Sequence, residues 1–190
     1  MPEGKRELRE AVRKARQKLA PAYRQKASAA MLAKLFELEI YRQASSVMAY
    51  CPMAEEVQLT PLLKHSLSQG KTVALPYVIS KGLMAAVKLH DMDSLVEGAY
   101  GILTVGEEKR EFLSPGLLDL VVVPGVAFGL DGSRLGMGAG FYDRFLSERA
   151  PQAHRVALCF DCQLVPEIPV EMHDQRVEAI ITETRFINCH

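Results

Sequence analysis

A nearly unbroken apolar segment that runs directly into a glycine-rich loop limits the fold of this chain more than any other feature. Residues 118–123 read Leu-Asp-Leu-Val-Val-Val, and such a run predicts a strand covered on both faces, as in a parallel sheet with helices on each side. The loop at 124–140 follows, and a helix is predicted at about 139–149. Because ligands of such sheets bind beyond the carboxyl ends of the strands, the sequence places a candidate site in this loop.

Strands and helices alternate along the chain. Leu8, Val12, Ala15 and Leu19 recur at helical spacing, so residues 4–20 are predicted to form an amphipathic helix. The other predicted elements are a helix at about 22–38 that restarts at Pro21, strands at 46–51, 72–78, 83–90, 155–160 and 177–182, and a helix that Thr60 caps and Gly70 closes.

This alternation implies an α/β fold around a mostly parallel sheet. We expect a single domain over residues 1–190, with 1–38 as a basic helical segment packed on it. Residues 91–116 have the weakest pattern and are interpreted as a lid or a surface excursion.

Size and composition are those of an ordinary globular protein. With 190 residues, of which 48% are hydrophobic, the chain is expected to form one domain with a proper core. No apolar run approaches the roughly 20 residues that span a bilayer, and the charged N-terminus lacks a secretory signal. A cytoplasmic protein without membrane partners is therefore expected.

Positive charge is concentrated at the N-terminus. Residues 1–26 carry nine Lys and Arg against Glu3, Glu7 and Glu10, which gives this segment a net charge of +6 in a chain that is neutral as a whole. Such a field attracts phosphate groups, although most of these charges are expected to form a solvated helix face.

The spacing Cys159-Phe-Asp-Cys162 raises the alternative of a zinc or redox site. No second C-x-x-C pair or H-x-x-x-H accompanies it. Reduced, structural thiols are the favoured interpretation.

The loop itself suits a phosphorylated ligand. Gly136, Gly138 and Gly140 alternate, so the backbone can adopt positive φ and present successive N–H groups to an anion beside a helix start. Arg134 offers a forked cation for phosphate oxygens, and Asp143 offers hard oxygen ligands for magnesium. The segment is neither a P-loop nor a Rossmann fingerprint. A flexible turn is the alternative to a nucleotide triphosphate site.

The loop and several other segments together resemble the 5-formyltetrahydrofolate cyclo-ligase family. The matching segments, in the family's order, are Lys5-x-x-x-Arg9, Tyr50–Val57, Arg134–Arg144, Gln163–Pro166 and His173–Glu183. They extend over nearly the whole chain. Against the commoner family pattern, Met137, Ala139 and Phe141 replace residues that are more often basic, glycine or tyrosine.

The resemblance implies a three-layer α/β/α domain similar to the sugar-phosphate isomerase and CoA-transferase superfold. It also implies ATP-dependent cyclisation of 5-formyltetrahydrofolate to 5,10-methenyltetrahydrofolate, with release of ADP and phosphate. In that reaction the formyl oxygen takes the γ-phosphoryl group, the anilino nitrogen attacks the formyl carbon, and phosphate departs. ATP as co-substrate, Mg²⁺ and a monomeric state are expected.

Two other functions stay open at this point. One is a non-catalytic relative that binds folate or nucleotide as a sensor or store. The other is an RNA-associated protein that uses the basic helix, but the few aromatics there and the missing RNA-binding signature argue against nucleic acid as a partner.

The resemblance also implies site residues. Arg134 and Lys5 are the expected catalytic residues, and Asp143 and Asp174 the expected metal ligands, with a helix cap and a turn residue as their alternative roles. The expected ATP-binding residues are Lys5, Arg6, Glu7, Leu8, Arg9, Arg134, Leu135, Gly136, Met137, Gly138, Ala139, Gly140, Phe141 and Tyr142. The expected folate-binding residues are Cys51, Glu56 (with Glu55 as the alternative), Tyr77, Met137, Gly138, Ala139, Gly140 and Phe141.

Overall fold

The structure, a computed structural model, describes residues 3–98 and 101–189. Its helices are α1 (Glu3–Gln17), α2 (Pro21–Glu37), α3 (Glu39–Gln43), α4 (Thr60–Ser68) and α5 (Phe141–Arg144), which continues into a π-helical turn (Phe145–Arg149). Its strands are β1 (Ser46–Met48), β2 (Thr72–Ser80), β3 (Leu83–Leu89), β4 (Leu95–Glu97), β5 (Leu103–Val105), β6 (Phe112–Leu113), β7 (Leu120–Val122), β8 (Ala127–Gly129), β9 (Arg134–Leu135), β10 (His154–Leu158), β11 (Leu164–Val165), β12 (Ala179–Ile181) and β13 (Phe186–Asn188).

An eight-stranded sheet forms the centre, in the order β13-β12-β10-β7-β1-β2-β3-β6. The five strands from β12 to β2 are parallel, whereas β13, β3 and β6 pair antiparallel. The prediction of a mostly parallel sheet is confirmed.

Strand β7 is buried on both faces, as its apolar run predicts. Leu120 and Val122 pack in one core cluster with residues of α2 and α4, such as Met31 and Leu62. Val121 packs in the other cluster with Phe145 and neighbouring residues of the π-helical turn. Helices therefore cover both faces of the sheet.

Several predicted boundaries are wrong. The helix predicted at 139–149 begins at Phe141, because Gly140 precedes it with a left-handed backbone (φ +65°). Thr60 is not a cap: Leu59 precedes the helix, and no side chain caps it. The strand predicted at 46–51 ends at Met48.

The predicted loop at 124–140 is partly ordered into a sheet of its own. Strands β8 and β9 pair antiparallel, and β11 joins β8 in parallel. Within the region predicted as an excursion at 91–116, β4 and β5 form an antiparallel pair, while residues 99 and 100 lie outside the described residues.

Helix α1 packs against this small sheet. Val12 forms a core cluster with Val126, Leu135 and Ile168. Two cations of the same helix, Lys5 and Arg16, are also buried. In the described part of the chain, no helix is long and apolar enough to cross a membrane.

Candidate functional site

A cavity of about 760 Å³ opens beside the segments that follow β1 and β7. Tyr50 and Cys51 line it after β1, and Pro124 and Gly125 line it after β7. This is the edge at which parallel sheets bind ligands, and the volume is that of a typical small-molecule site.

The glycine loop forms one wall of the cavity. Gly138 and Gly140 have φ values of +103° and +65°, a conformation that side chains disfavour. Gly136 is needed for another reason, since a Cβ there would lie 2.8 Å from Nη1 of Arg134. Nε of Arg9 donates a 2.7 Å hydrogen bond to the carbonyl of Gly136, which ties the loop to α1.

Arg134 and Asp143 form a buried ion pair in this wall. Nη2 of Arg134 donates to Oδ1 of Asp143 at 2.6 Å, and their side chains are 3% and 15% exposed. Nη1 of Arg134 donates to the carbonyl of Pro124 at 3.2 Å, and the backbone N–H of Gln175 donates to Oδ1 of Asp143 at 3.0 Å. Nε of Arg134 is buried without a hydrogen-bond partner among the described residues, and Arg134 itself lines the cavity.

A second set of charges lies where α1 meets the segment after β11. Nζ of Lys5 lies 2.7 Å from Oδ2 of Asp174 and 3.5 Å from Oε2 of Glu171. Burial opposes ionisation of Asp174, but the Lys5 ammonium and the Glu171 N–H outweigh it and lower the pKa of this carboxyl. Glu171, His173 and Asp174 each offer a ligand atom within 4.8 Å of the others.

Glu56 is the carboxylate on the other side of the cavity. Its Oε2 accepts the backbone N–H of Met53 at 2.9 Å. Burial raises the pKa of Glu56, and the Met53 N–H and Arg16 oppose that rise. Glu55, the alternative from the sequence, is absent from the cavity lining and lies 3.5 Å from Nη2 of Arg16. The geometry therefore favours Glu56 over Glu55 as the residue that meets a ligand.

Aromatic and polar groups complete the lining. The hydroxyl of Tyr142 is buried and has no hydrogen-bond partner among the described residues, and burial raises the pKa of Tyr142. The ring of Tyr77 packs against Arg110, whose Cζ lies 4.1 Å from the ring centroid, and edge-on against Phe112 at 6.2 Å. Burial also raises the pKa of the Cys51 thiol to about 11.

Most of the residues predicted from the sequence lie around this one cavity. Three do not: Arg6 and Glu7 are exposed, and Leu8 packs in the cluster beneath α1. Their predicted role in binding ATP stays a prediction, as do the roles of the rest. The predicted residues that line the cavity are Lys5, Arg9, Cys51, Glu56, Tyr77, Arg134, Leu135, Gly136, Met137, Gly138, Ala139, Gly140, Phe141, Tyr142, Asp143 and Asp174.

Several residues of this region were not among the predicted site residues, and Tyr50 and Arg16 are two of them. Tyr50 lines the cavity, although only its segment was singled out. Arg16 is buried and lies 3.8 Å from Glu56. In the sequence, its burial is indicated by its position four residues after Val12, on the same face of α1. Of the C-x-x-C pair, Cys159 is fully buried and its pKa is raised by that burial.

Comparison with known proteins agrees with these features. A profile of the 5-formyltetrahydrofolate cyclo-ligase family matches residues 1–183. The 5-formyltetrahydrofolate cyclo-ligases of Mus musculus and Mycolicibacterium smegmatis are 30% and 31% identical; the alignments cover 94% and 98% of this chain and 93% and 97% of theirs.

Solved structures extend the comparison to the fold. The 5,10-methenyltetrahydrofolate synthetase of Aquifex aeolicus superposes with a TM-score of 0.86 at 32% identity, over 98% of this chain and 93% of that one. The synthetase of Mycoplasma pneumoniae, at 20% identity, has the same fold with a TM-score of 0.77 over 94% and 98%. By sequence over nearly its full length and by fold, this chain belongs to the 5-formyltetrahydrofolate cyclo-ligase family.

Proposed function

We propose that this protein uses ATP to close 5-formyltetrahydrofolate into 5,10-methenyltetrahydrofolate, with ADP and phosphate as the other products. One observation carries the proposal. A single cavity joins a glycine loop with buried cations, which suit a triphosphate, to a buried carboxylate, which suits a pterin. We further propose that the enzyme acts as a monomer, and we expect it in the cytoplasm.

The triphosphate is assigned to the wall formed by the glycine loop and α1. The positive φ of Gly138 and Gly140 brings the backbone close to a bound anion. Lys5 and Arg9, one helical turn apart, border the same space. Cations fixed by carboxylates and carbonyls lose little conformational freedom on binding, which favours charge stabilisation in phosphoryl transfer.

Magnesium is assigned to Asp143 and Asp174. The fit rests on their chemistry: carboxylate oxygens are the ligands that Mg²⁺ prefers, and both side chains border the cavity. The two hydrogen bonds to Asp143 both fall on Oδ1, so Oδ2 keeps its capacity for a ligand. When bound with ATP, the ion neutralises charge on the phosphate oxygens.

The pterin is assigned to Glu56. A pterin presents adjacent N–H donors, and one carboxylate can accept two of them side by side. Tyr77 and Phe141 border the same cavity and offer flat apolar faces for the folate rings. Glu56 therefore fixes the ring system while the formyl group faces the triphosphate.

The residues then act by position and charge rather than as nucleophiles. The formyl oxygen bonds to the γ-phosphorus as the bond to the bridging oxygen of ADP breaks. Arg134 and Lys5 counter the charge that develops on the transferred group. The anilino nitrogen next bonds to the formyl carbon and loses its proton, the carbon–oxygen bond breaks, and the former formyl oxygen leaves with phosphate, which takes up that proton.

A spectroscopic assay tests this reaction. The protein is mixed with 5-formyltetrahydrofolate and MgATP, and the methenyl chromophore is followed together with release of ADP. Parallel mixtures omit ATP or replace it with a non-hydrolysable analogue. Equal formation of methenyl product and ADP, only with hydrolysable ATP, is the expected result. Tight binding of both ligands without turnover would overturn the proposal.

A further inference from the structure

Helix α1 extends from the glycine loop to the segment that carries Glu56. Near its start, Lys5 and Arg9 border the glycine loop. Near its end, Arg16 lies against the acidic segment that carries Glu56. With a rise of 1.5 Å per residue, the backbone positions of Lys5 and Arg16 are about 16 Å apart, a separation set by one continuous helix.

Arg16 is buried without being well paired. Its side chain is 3% exposed, and its carboxylate contacts are long, at 3.5 Å from Nη2 to Oε1 of Glu55 and 3.8 Å from Nη1 to Oε1 of Glu56. Its Nε has no hydrogen-bond partner among the described residues. Burying a guanidinium is costly, and only close, well-aligned partners offset that cost. Stability is therefore a poor explanation for a cation at this position.

We propose that Arg16 is a positioning residue that holds the Glu56 carboxylate charged and oriented for the folate ring. This inference rests on the proposed function, because that function assigns Glu56 to the folate. The Met53 N–H approaches Oε2 of Glu56 and Arg16 approaches Oε1. The Met53 N–H thus holds the carboxylate by a hydrogen bond, and Arg16, 3.8 Å from its other oxygen, acts on it through charge.

The charges around Glu56 determine how folate binding should depend on pH. Arg16 and, more weakly, Arg13 favour its ionised form, and Glu55 opposes it. Tyr50 and Tyr142 are also close enough to interact with this carboxylate: burial and, to a smaller extent, the charge of Glu56 raise the pKa of each. Only ionised Glu56 accepts two N–H donors, so folate binding weakens as pH falls through the pKa of Glu56, which burial has raised. Without Arg16 that pKa rises further.

The test compares Arg16→Met with Arg16→Lys, Glu55→Gln and Lys14→Met. For Arg16→Met we expect KM for 5-formyltetrahydrofolate to rise on the order of tenfold, with KM for ATP unchanged. The acid limb of kcat/KM for the folate should move to higher pH. Arg16→Lys should recover part of both. Lys14, which is 67% exposed and pairs with Glu10, is the matched control on the same helix and should change neither.

Glu55→Gln tests whether Arg16 acts on Glu56 or only stabilises the acidic segment. It removes the other partner of Arg16 but also a charge that opposes ionisation of Glu56, so the acid limb should stay or move to lower pH. If Arg16→Met and Glu55→Gln raise KM alike, or if Arg16→Met leaves the acid limb in place, the inference is wrong. If Arg16→Met does not fold, Arg16→Lys decides: a rise in KM for folate alone supports the inference, and an equal rise for ATP or no rise overturns it.

The same test can be made on binding. Titration of the variants with 5-formyltetrahydrofolate in the absence of ATP measures the same pH dependence without turnover. A wild-type protein that binds folate but forms no methenyl product would refute the proposed reaction. The position of the acid limb in binding would still decide the role of Arg16.

Discussion

Replacing Arg134 by Met should damage stability and turnover for two separable reasons. The substitution leaves the Asp143 carboxylate, 15% exposed, with the N–H of Gln175 as its one hydrogen-bond donor among the described residues. Removing one partner of a buried ion pair costs roughly 3–5 kcal/mol. Because Asp143 borders the cavity and keeps one hydrogen bond, we expect a value near the lower end, about 3 kcal/mol.

A second substitution tests the stability effect, whereas the single Arg134→Met variant measures the effect on turnover. Asp143→Asn in the Arg134→Met background removes the unpaired charge, so most of the lost free energy of unfolding should return. Turnover should not return, because the cation that counters charge on the transferred phosphoryl group is still missing and Asp143→Asn also removes a proposed magnesium ligand. Loss of one such contact lowers kcat by about 10²–10³.

Urea unfolding followed by circular dichroism gives the stabilities, and formation of the methenyl product gives the rates. The matched control is Arg176→Met, because Arg176 pairs with Asp131 on an exposed part of the surface. It should lose at most about 1 kcal/mol and no activity. A double variant that is stable and turns over at the wild-type rate would refute the role given to Arg134.

Three further substitutions test other parts of the cavity. Tyr142→Phe removes a buried hydroxyl without a partner in the described structure, so the free energy of unfolding should not fall. KM for a substrate that the hydroxyl touches should rise roughly tenfold, and unchanged kinetics would exclude that contact. Glu56→Gln should weaken folate binding but not ATP binding in titrations. The unfolding midpoint of this variant should not fall at neutral pH, because burial raises the pKa of Glu56 and ionised Glu56 therefore weakens the fold above that pKa. An equal loss of folate affinity and ATP affinity would contradict the assignment of Glu56 to the folate. Gly136→Ala places a Cβ 2.8 Å from the anchored guanidinium of Arg134 and should lower kcat about tenfold. The control is Gly116→Ala, whose Cβ would lie 3.9 Å from its nearest atom and which should not lower kcat. Equal kcat values for the two variants would contradict the role given to Gly136.

The fold could be predicted where the pattern of hydrophobic residues is regular over many residues. The apolar run at β7 specified a strand buried on both faces, and the stripe of α1 specified its inward face. Strands β8 and β9 could not be predicted in this way, since three and two residues are too few to display a period. They are fixed by pairing with each other, which is a tertiary effect.

The site residues could be predicted where they lie close together in the sequence, in a short motif. The glycine loop, Lys5 and Arg9 all lie in short motifs, and all border the cavity. The sequence favoured Glu56 but left Glu55 as an alternative, because neighbouring residues in an irregular segment differ only in the direction of their side chains. The structure separates them: Glu56 borders the cavity, and Glu55 does not.

Arg16 illustrates the more general limit. Patterns of hydrophobicity count an arginine as a solvent-facing residue, yet Arg16 continues the buried face of α1 together with Lys5 and Val12. Buried cations of this kind require carboxylates from distant segments: Asp174 for Lys5, and Glu55 with Glu56 for Arg16. Since Asp174 and Glu56 both line the cavity, α1 links the proposed nucleotide and folate subsites through a charged residue near each of its ends. A change in how the helix docks would therefore disturb both subsites together, whereas a change at Arg16 alone should reach only the folate.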